Sequence, residues 1–288
     1  MAILVNKNTR VIVQGITGRL GARQTKMMLE YGTKIVAGVT PGKGGETVFG
    51  IPVYDSVQEA LKEQEADASV IYVPARFMKD AAFEAIEAGI KFMAIITDWV
   101  PVHDALEIKA LANSLGTRYI GPNSPGITVP GEIKLGMIHS VMPGNIGIVS
   151  RSGTLTAEIS NLLTNAGFGQ STVLGVGGDP IVGLRFKDVL GLFEKDDQTK
   201  AIVIIGEIGG TMEEEAAEYI KEHVSKPIVA FIAGQAAPPE KKMGHAGAII
   251  RGGRGTAASK INALKQAGVR IANTPWELPS ILKECLRS

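Results

Sequence analysis

Arg10-Val-Ile-Val-Gln14, followed by Gly15-Ile-Thr-Gly-Arg-Leu-Gly21 (RVIVQGITGRLG), reads as a buried strand that turns through glycine into a helix. Working outward from it, apolar runs alternate with amphipathic stretches. Strands are expected at 10–14, 34–39, 68–73, 91–97 and 118–120, and helices at 20–31, 57–65, 78–88 and 105–115. Such alternation predicts a parallel sheet covered on both faces, with a ligand in the crevice beyond the carboxyl ends of the strands. Pro130, Gly131, Pro143 and Gly144 then break the rhythm, so 128–145 is expected to be a linker. A second unit follows, with strands at 146–150, 171–175, 201–205, 227–232 and 269–272 and helices at 155–166, 184–194, 212–224 and 256–267. The expected fold is α/β, with one domain over 1–127 and a second, doubly wound domain over 146–288.

Composition narrows the function classes. Among 288 residues, 30 Lys and Arg nearly balance 29 Asp and Glu, so no overall field gathers nucleic acid or an anionic membrane, and an anion site must be local. The single cysteine, Cys285, excludes an internal disulfide and a multi-cysteine metal site, which fits a reducing cytoplasm. Lys7 and Arg10 interrupt the N-terminal apolar run too early for a signal-peptide core, and no run approaches bilayer-spanning length. His103, His139 and His223 lack metal-ligand spacing, and no metal site is expected. Trp99 and Trp276 are expected to pack against neighbouring elements.

The turn Gly15 to Gly21 has the spacing G-x-x-G-x-x-G and opens a helix, so its amides suit an anion, with a merely structural turn as the other reading. Dinucleotide folds place an acid after the second strand to bind ribose hydroxyls. Here that position reads Gly38-Val-Thr-Pro-Gly-Lys-Gly-Gly45. A lysine in place of the acid argues against NAD and suits a ligand with an extra ribose phosphate, as in coenzyme A; a solvated loop cation is the other reading of Lys43. The segment is no Walker motif, because Gly44 stands where Ser or Thr would hold magnesium. Val73-Pro74-Ala75 and Ile96-Thr97-Asp98 end two further strands on the same edge, as ligand contacts or as structure alone.

In the second unit, His245 lies in Gly244-His-Ala-Gly-Ala-Ile-Ile250, between glycines where a core histidine would have bulky neighbours. A phosphorylated histidine needs that clearance, a carboxylate to fix its tautomer, and a positive dipole for the phosphate. Glu207, in Gly206-Glu-Ile-Gly-Gly210, ends a strand and is the candidate carboxylate, with a structural role as its alternative. Glu213, Glu214 and Glu215 read as a solvated first helical turn. Ser150-Arg-Ser-Gly-Thr-Leu-Thr156 turns a strand into a helix whose amides and hydroxyls suit an anion, and Arg151 is equally a structural ion-pair partner. Gly177-Gly-Asp-Pro180 is placed to shape the same crevice.

VQGITG, GVTPGKGG, SRSGTLT, GVGGDP, GEIGG and GHAGAII occur in one order over nearly the whole chain. In these motifs the chain resembles the α subunit of succinyl-CoA synthetase, within the acyl-CoA synthetase (nucleoside diphosphate-forming) superfamily. The resemblance implies a Rossmann-like CoA-binding domain followed by a flavodoxin-like domain carrying a phosphohistidine. It implies that Thr17, Gly18, Arg19, Leu20, Lys43, Ile96, Thr97 and Asp98 contact coenzyme A, that His245 carries phosphate and that Glu207 is its partner. Ser152, Gly153 and Thr154 would hold the travelling phosphate, with Ala157 next to the organic acid. A β subunit with an ATP-grasp domain would bind ATP or GTP with magnesium, in a heterodimer or heterotetramer. Departures from the family pattern are Ala157 for Tyr, Ser124 for Cys, Ala22-Arg23 for an aromatic-His pair and Asp98 for Glu. Ala157 removes a ring and a hydroxyl, so a bulkier acid such as citrate, in a citryl-CoA synthetase, stands beside succinate. A CoA-binding regulatory module with an inert histidine is the reading from a different class.

Overall fold

The structure is a computed structural model and describes residues 3–139, 141–238, 243–250 and 255–287. The first half forms a sheet from β1 (Arg10–Gln14), β2 (Lys34–Val39), β3 (Thr47–Val48), β4 (Ile51–Tyr54), β5 (Ala68–Ile71), β6 (Phe92–Ile95) and β7 (Arg118–Ile120). The order is β3-β4-β2-β1-β5-β6-β7, parallel throughout except where β3 pairs with β4. Leaving the two-residue β3 aside, the parallel strands run 3-2-1-4-5-6 in chain order, which is the Rossmann arrangement. Helices α1 (Arg19–Glu30), α2 (Val57–Glu63), α3 (Met78–Glu87) and α4 (Val102–Leu115) connect them. Val11, Ile12 and Val13 are all fully buried, as a strand covered on both faces requires. Each such side chain contributes about 1.5–3 kcal/mol relative to exposure. Val11 and Val13 join Met28 of α1, and Ile12 joins Val57 of α2 and Met78 of α3, so successive residues serve opposite faces.

The second half contains β8 (Gly126–Val129), β9 (Ile133–Gly136), β10 (Pro143–Ser150), α5 (Gly153–Asn165), β11 (Gln170–Gly175), α6 (Phe186–Lys195), β12 (Ala201–Glu207), α7 (Met212–His223), β13 (Ile228–Ala233), α8 (Ala257–Gln266), β14 (Arg270–Ala272) and α9 (Leu278–Cys285). Its sheet runs β14-β13-β12-β10-β11-β8-β9. The five parallel strands follow 2-1-3-4-5, the flavodoxin-like order.

The stretch 128–145 is not a plain linker. It carries half of β8, all of β9 and the start of β10, and the β8–β9 hairpin pairs antiparallel with β11 through Thr128 opposite Val173. Pro130 and Gly131, read as a break, form the hairpin turn, where Gly131 takes φ of 78° and Glu132 N–H donates to Val129 O at 3.0 Å. The halves are joined by backbone bonds as well as by packing. Gly121 N–H donates to Val176 O at 2.9 Å, and Gly183 N–H to Gly121 O at 3.0 Å. Trp99 and Trp276, expected to be packed, are 60% and 67% exposed. No helix among the described residues is long and apolar enough to cross a membrane.

Candidate functional site

Each sheet has a switch point where strand order reverses, and each switch point has a crevice. In the first sheet it lies between β1 and β5, where a cavity of about 670 Å³ is lined by Gln14, Gly15, Thr17, Thr40, Tyr72 and Phe77 among others. The glycines act by close approach. Gly15 takes φ of 81°, and a Cβ on Gly21 would stand 2.1 Å from Gly15 O, so the absence of a side chain seats α1 on the turn. Thr17 donates to Thr40 Oγ1 at 3.1 Å, which closes the turn over the end of β2.

Of the residues expected to meet coenzyme A, Thr17 and Gly18 line this cavity. Arg19 and Leu20 lie exposed at the start of α1. Lys43 is exposed in the loop after β2, with Nζ 2.9 Å from Glu46 Oε1. That loop is pinned by Asp55, whose Oδ1 accepts the amides of Lys43 and Gly44 at 2.9 Å each. These bonds, that of Gly44 foremost, hold the Asp55 carboxyl below its usual range. Ile96 is buried, Thr97 donates to Val73 O at 2.6 Å, and Asp98 is exposed, so this strand end is tied to the neighbouring one. Gln14, Tyr72, Phe77 and Asp80 are lining residues that the motif reading passed over. Their only sequence signal is position, at or just after strands that flank a glycine turn.

The second crevice lies where β10 and β12 run side by side. His245 Nδ1 stands 2.8 Å from Glu207 Oε2. The imidazole side chain is 26% exposed and Glu207 8%, so the pair has a closed side and an open one. With Nδ1 engaged by the carboxylate, Nε2 is the nitrogen left to react. The hydrogen bond that His245 donates to Glu207 raises the His245 pKa above its ordinary value, against burial and the Arg151 charge, which lower it. Two glycines outside the histidine loop seat it. A Cβ on Gly178 would lie 2.6 Å from His245 Cγ, and one on Gly209 would lie 2.0 Å from Gly247 O. Gly247 N–H donates to Gly178 O at 3.1 Å, which fastens the histidine loop to the segment after β11.

Behind the pair lies a buried string of charges. Arg151, 3% exposed, places Nη2 3.5 Å from Glu207 Oε1 and Nη1 3.3 Å from Glu213 Oε1, and donates to Gly209 O at 2.8 Å. Arg151 is therefore an ion-pair partner. Glu213 is not part of a solvated turn: it is fully buried, accepts the Glu207 amide at 3.0 Å and pairs with Lys260, which is also fully buried. Burial alone would raise the Glu213 pKa, but Arg151 and Lys260 outweigh it and hold the carboxyl below its usual range. Asp179 accepts from Asn123 Nδ2 at 3.2 Å, and burial pushes its pKa up. Lys260 carried no readable motif; only its place in a helix that packs on α7 reveals it.

Ser152 caps α5, accepting from Leu155 N–H at 3.3 Å. Among the described residues no acceptor takes the amides of Gly153 and Thr154, which leaves the helix start open to an anion. A second cavity, of about 660 Å³, is lined by Arg151, Asp179, Thr211, Ala246 and Gly247 among others, and Ala157 is exposed on α5. Among the described residues no group of three His, Cys, Asp or Glu is placed to hold a metal ion.

Residues 6–99 match the CoA binding domain family and residues 149–270 the CoA-ligase family. Over 289 residues the chain is 56% identical to succinate–CoA ligase [ADP-forming] subunit alpha 1 of Archaeoglobus fulgidus, covering 100% of this chain and 98% of that protein. The chain belongs to the succinate–CoA ligase α-subunit family. The corresponding protein of Aquifex aeolicus is 53% identical over 291 residues, with 100% of this chain and 95% of that protein covered. Among solved structures, ATP citrate lyase from Methanothrix soehngenii, in complex with citrate and coenzyme A, superposes with a TM-score of 0.90 at 26% identity and covers 99% of this chain. The chain spans 50% of that lyase. Family and topology agree: a Rossmann-like CoA-binding half precedes a flavodoxin-like CoA-ligase half.

Proposed function

We propose that this chain is the CoA-binding, phosphoryl-carrying subunit of a succinate–CoA ligase. The observation that carries the reading is the 2.8 Å contact between His245 Nδ1 and Glu207, which engages Nδ1 and leaves Nε2 as the nucleophile on a partly exposed ring. In this reading the Nε2 lone pair attacks the γ-phosphorus of a nucleoside triphosphate, and the diphosphate leaves with the electrons of the broken P–O bond. Nδ1–H stays on Glu207, which offsets the positive charge that develops on the ring. The phosphoryl group passes to a carboxylate oxygen of the acid, giving an acyl phosphate. The thiol of coenzyme A then attacks the acyl carbon, loses its proton and displaces phosphate to leave the thioester. The helix start at Ser152 to Thr154 supports the phosphoryl group by its amides.

This chain has no Walker motif, and the nucleotide with its magnesium is assigned to a partner β subunit with an ATP-grasp domain, in a heterodimer or heterotetramer. ATP is favoured, since the relatives are named ADP-forming. In the first half, Thr17 to Leu20, Lys43 and Ile96 to Asp98 are assigned to coenzyme A. The complex is assigned to the cytoplasm, where Cys285 stays reduced. Succinate is favoured by relatives of 53–57% identity that carry its name. Citrate is the second reading, favoured by the lyase structure with citrate and coenzyme A and by Ala157 in place of the family's Tyr.

The chain assembled with its β subunit and γ-labelled ATP is expected to give acid-labile, base-stable phosphoprotein that is lost in His245→Asn. Label retained by that variant would remove His245 from the reaction. In the same assembly, succinate is expected to outpace citrate in thioester formation; faster citrate would establish the second reading. Gly21→Ala, by driving its Cβ against Gly15 O, is expected to cost about 1–3 kcal/mol in overpacking and to weaken CoA binding about tenfold by calorimetry. Unchanged CoA affinity would take the turn out of the CoA site.

A further inference from the structure

Five charged side chains stand behind His245 in contact with one another. Glu207 faces Arg151, Arg151 faces Glu213, Glu213 faces Lys260, and Lys260 also stands 3.4 Å from Glu214 Oε2. They come from four places in the fold: the end of β12, the turn after β10, the first turn of α7, and α8. Such a string is an expensive way to build a core. Apolar residues of the same volume at buried ion-pair positions are often neutral or stabilising, so packing alone does not account for the group. Glu213 is the joint. Its Oε1 takes both the Glu207 amide and Arg151 Nη1, and its Oε2 takes Lys260.

We infer that Glu213 and Lys260 are positioning residues for the phosphoryl-carrying histidine: they clamp Arg151 against Glu207, and through Glu207 they fix the orientation and charge of His245. The inference rests on the phosphohistidine reading above. Neither residue reaches the ring, and both act through the two groups that do approach the site. With three carboxylates (Glu207, Glu213, Glu214) and two cations (Arg151, Lys260), the string carries one negative charge in excess, which a protonated His245 balances. Once His245 loses its proton and gains a phosphoryl group, the site becomes strongly anionic, and Arg151 is the cation held nearest to Glu207 to offset it. Lys260 then keeps Glu213 from neutralising Arg151 completely. The charged groups bearing on the imidazole are Glu207 at the end of β12, Arg151 after β10 and Asp179 after β11; Glu213 and Glu214 on α7 and Lys260 on α8 act behind them.

The test is an NMR titration of the imidazole nitrogens in the full chain, where four histidines make assignment by His245→Gln direct. Glu213→Gln removes a negative charge and is expected to move the His245 titration down by about 0.5–1 pH unit; Lys260→Met removes a positive one and is expected to move it up by about as much. Lys260→Arg is expected to titrate as the wild type does. A purely structural role predicts loss of stability in both single variants and no opposed shifts, so folded variants that shift in the same direction, or not at all, overturn the inference. Where the single variants do not fold, Glu213→Gln combined with Lys260→Met, a neutral pair, carries the test. It is expected to restore the wild-type titration while slowing phosphohistidine formation in the complete enzyme about tenfold, since Arg151 loses its ionic clamp. Wild-type rates in that folded double variant overturn the inference. The underlying reading fails separately, if the wild-type complex takes no phosphoryl group on His245.

Discussion

Glu207→Gln is expected to slow phosphohistidine formation by about 10³-fold with the fold intact, because the amide keeps the shape of the side chain and loses its charge. Glu207 Oε2 sits 2.8 Å from His245 Nδ1, so in the native chain the carboxylate selects the tautomer that bears its proton on Nδ1. A glutamine presents either a carbonyl or an amide to that nitrogen, and neither answers the positive charge that develops as Nε2 bonds to phosphorus. The pH dependence follows from the same contact. Glu207 raises the His245 pKa, with burial and Arg151 opposing it. In the wild type, formation should therefore rise as pH climbs through that raised value and Nε2 loses its proton. In the variant, only the Asp179 charge still opposes burial and Arg151, and the acid limb should move to lower pH. For stability, a raised folded value means that the contribution of the pair is complete below the unfolded pKa and is lost as pH rises through the folded one. The variant should lack that slope. Quenched-flow labelling across the neutral range checks the rate, and a variant within a few-fold of the wild type would remove Glu207 from its role.

Much of this arrangement is legible in the chain, for reasons that differ from residue to residue. β1, β2 and β7 fall where expected, because short apolar runs bounded by glycine or charge mark strands covered on both faces. The β8–β9 hairpin was hidden because Pro130 and Gly131 signal equally well a turn within a sheet and a break between domains. Helix α9 is not among the expected elements, and it accommodates Pro279 because that residue lies in the first turn, where a missing N–H costs nothing. His245 and Glu207 were readable as a pair because glycines surround the one and a strand end presents the other. What supports them was not. Three consecutive acids at a helix start normally favour solvent and the helix dipole, and nothing local separates Glu213, fully buried, from Glu215, 31% exposed. The difference is made by Arg151 and Lys260, which are distant in sequence and meet Glu213 only once the sheet is assembled.

Arg151→Met is expected to be the most damaging single change to stability, at about 3–5 kcal/mol by urea denaturation, because it leaves buried carboxylates facing one cation. The guanidinium is held by Gly209 O at 2.8 Å, Glu207 O at 3.4 Å and two carboxylates, so a methionine of similar length replaces none of its bonds. The sign of the pH dependence should invert. In the wild type, Arg151 and Lys260 depress the Glu213 pKa, so its contribution is present above the unfolded value and is lost as pH falls through the folded one. With Arg151 removed, burial weighs more heavily on Glu213, and its folded value should rise above the unfolded one. Such a group contributes stability below the unfolded pKa and loses it as pH rises through the folded pKa, so the variant should regain part of its deficit in mild acid and be weakest in mild alkali. Arg151→Lys separates charge from geometry. It keeps a cation but cannot span Glu207, Glu213 and Gly209 with one planar fork. It should therefore recover much of the stability at neutral pH and little of the rate of phosphohistidine formation. If Arg151→Lys restored both equally, the guanidinium would be acting as a point charge, and the clamp on Glu207 would have no geometric component.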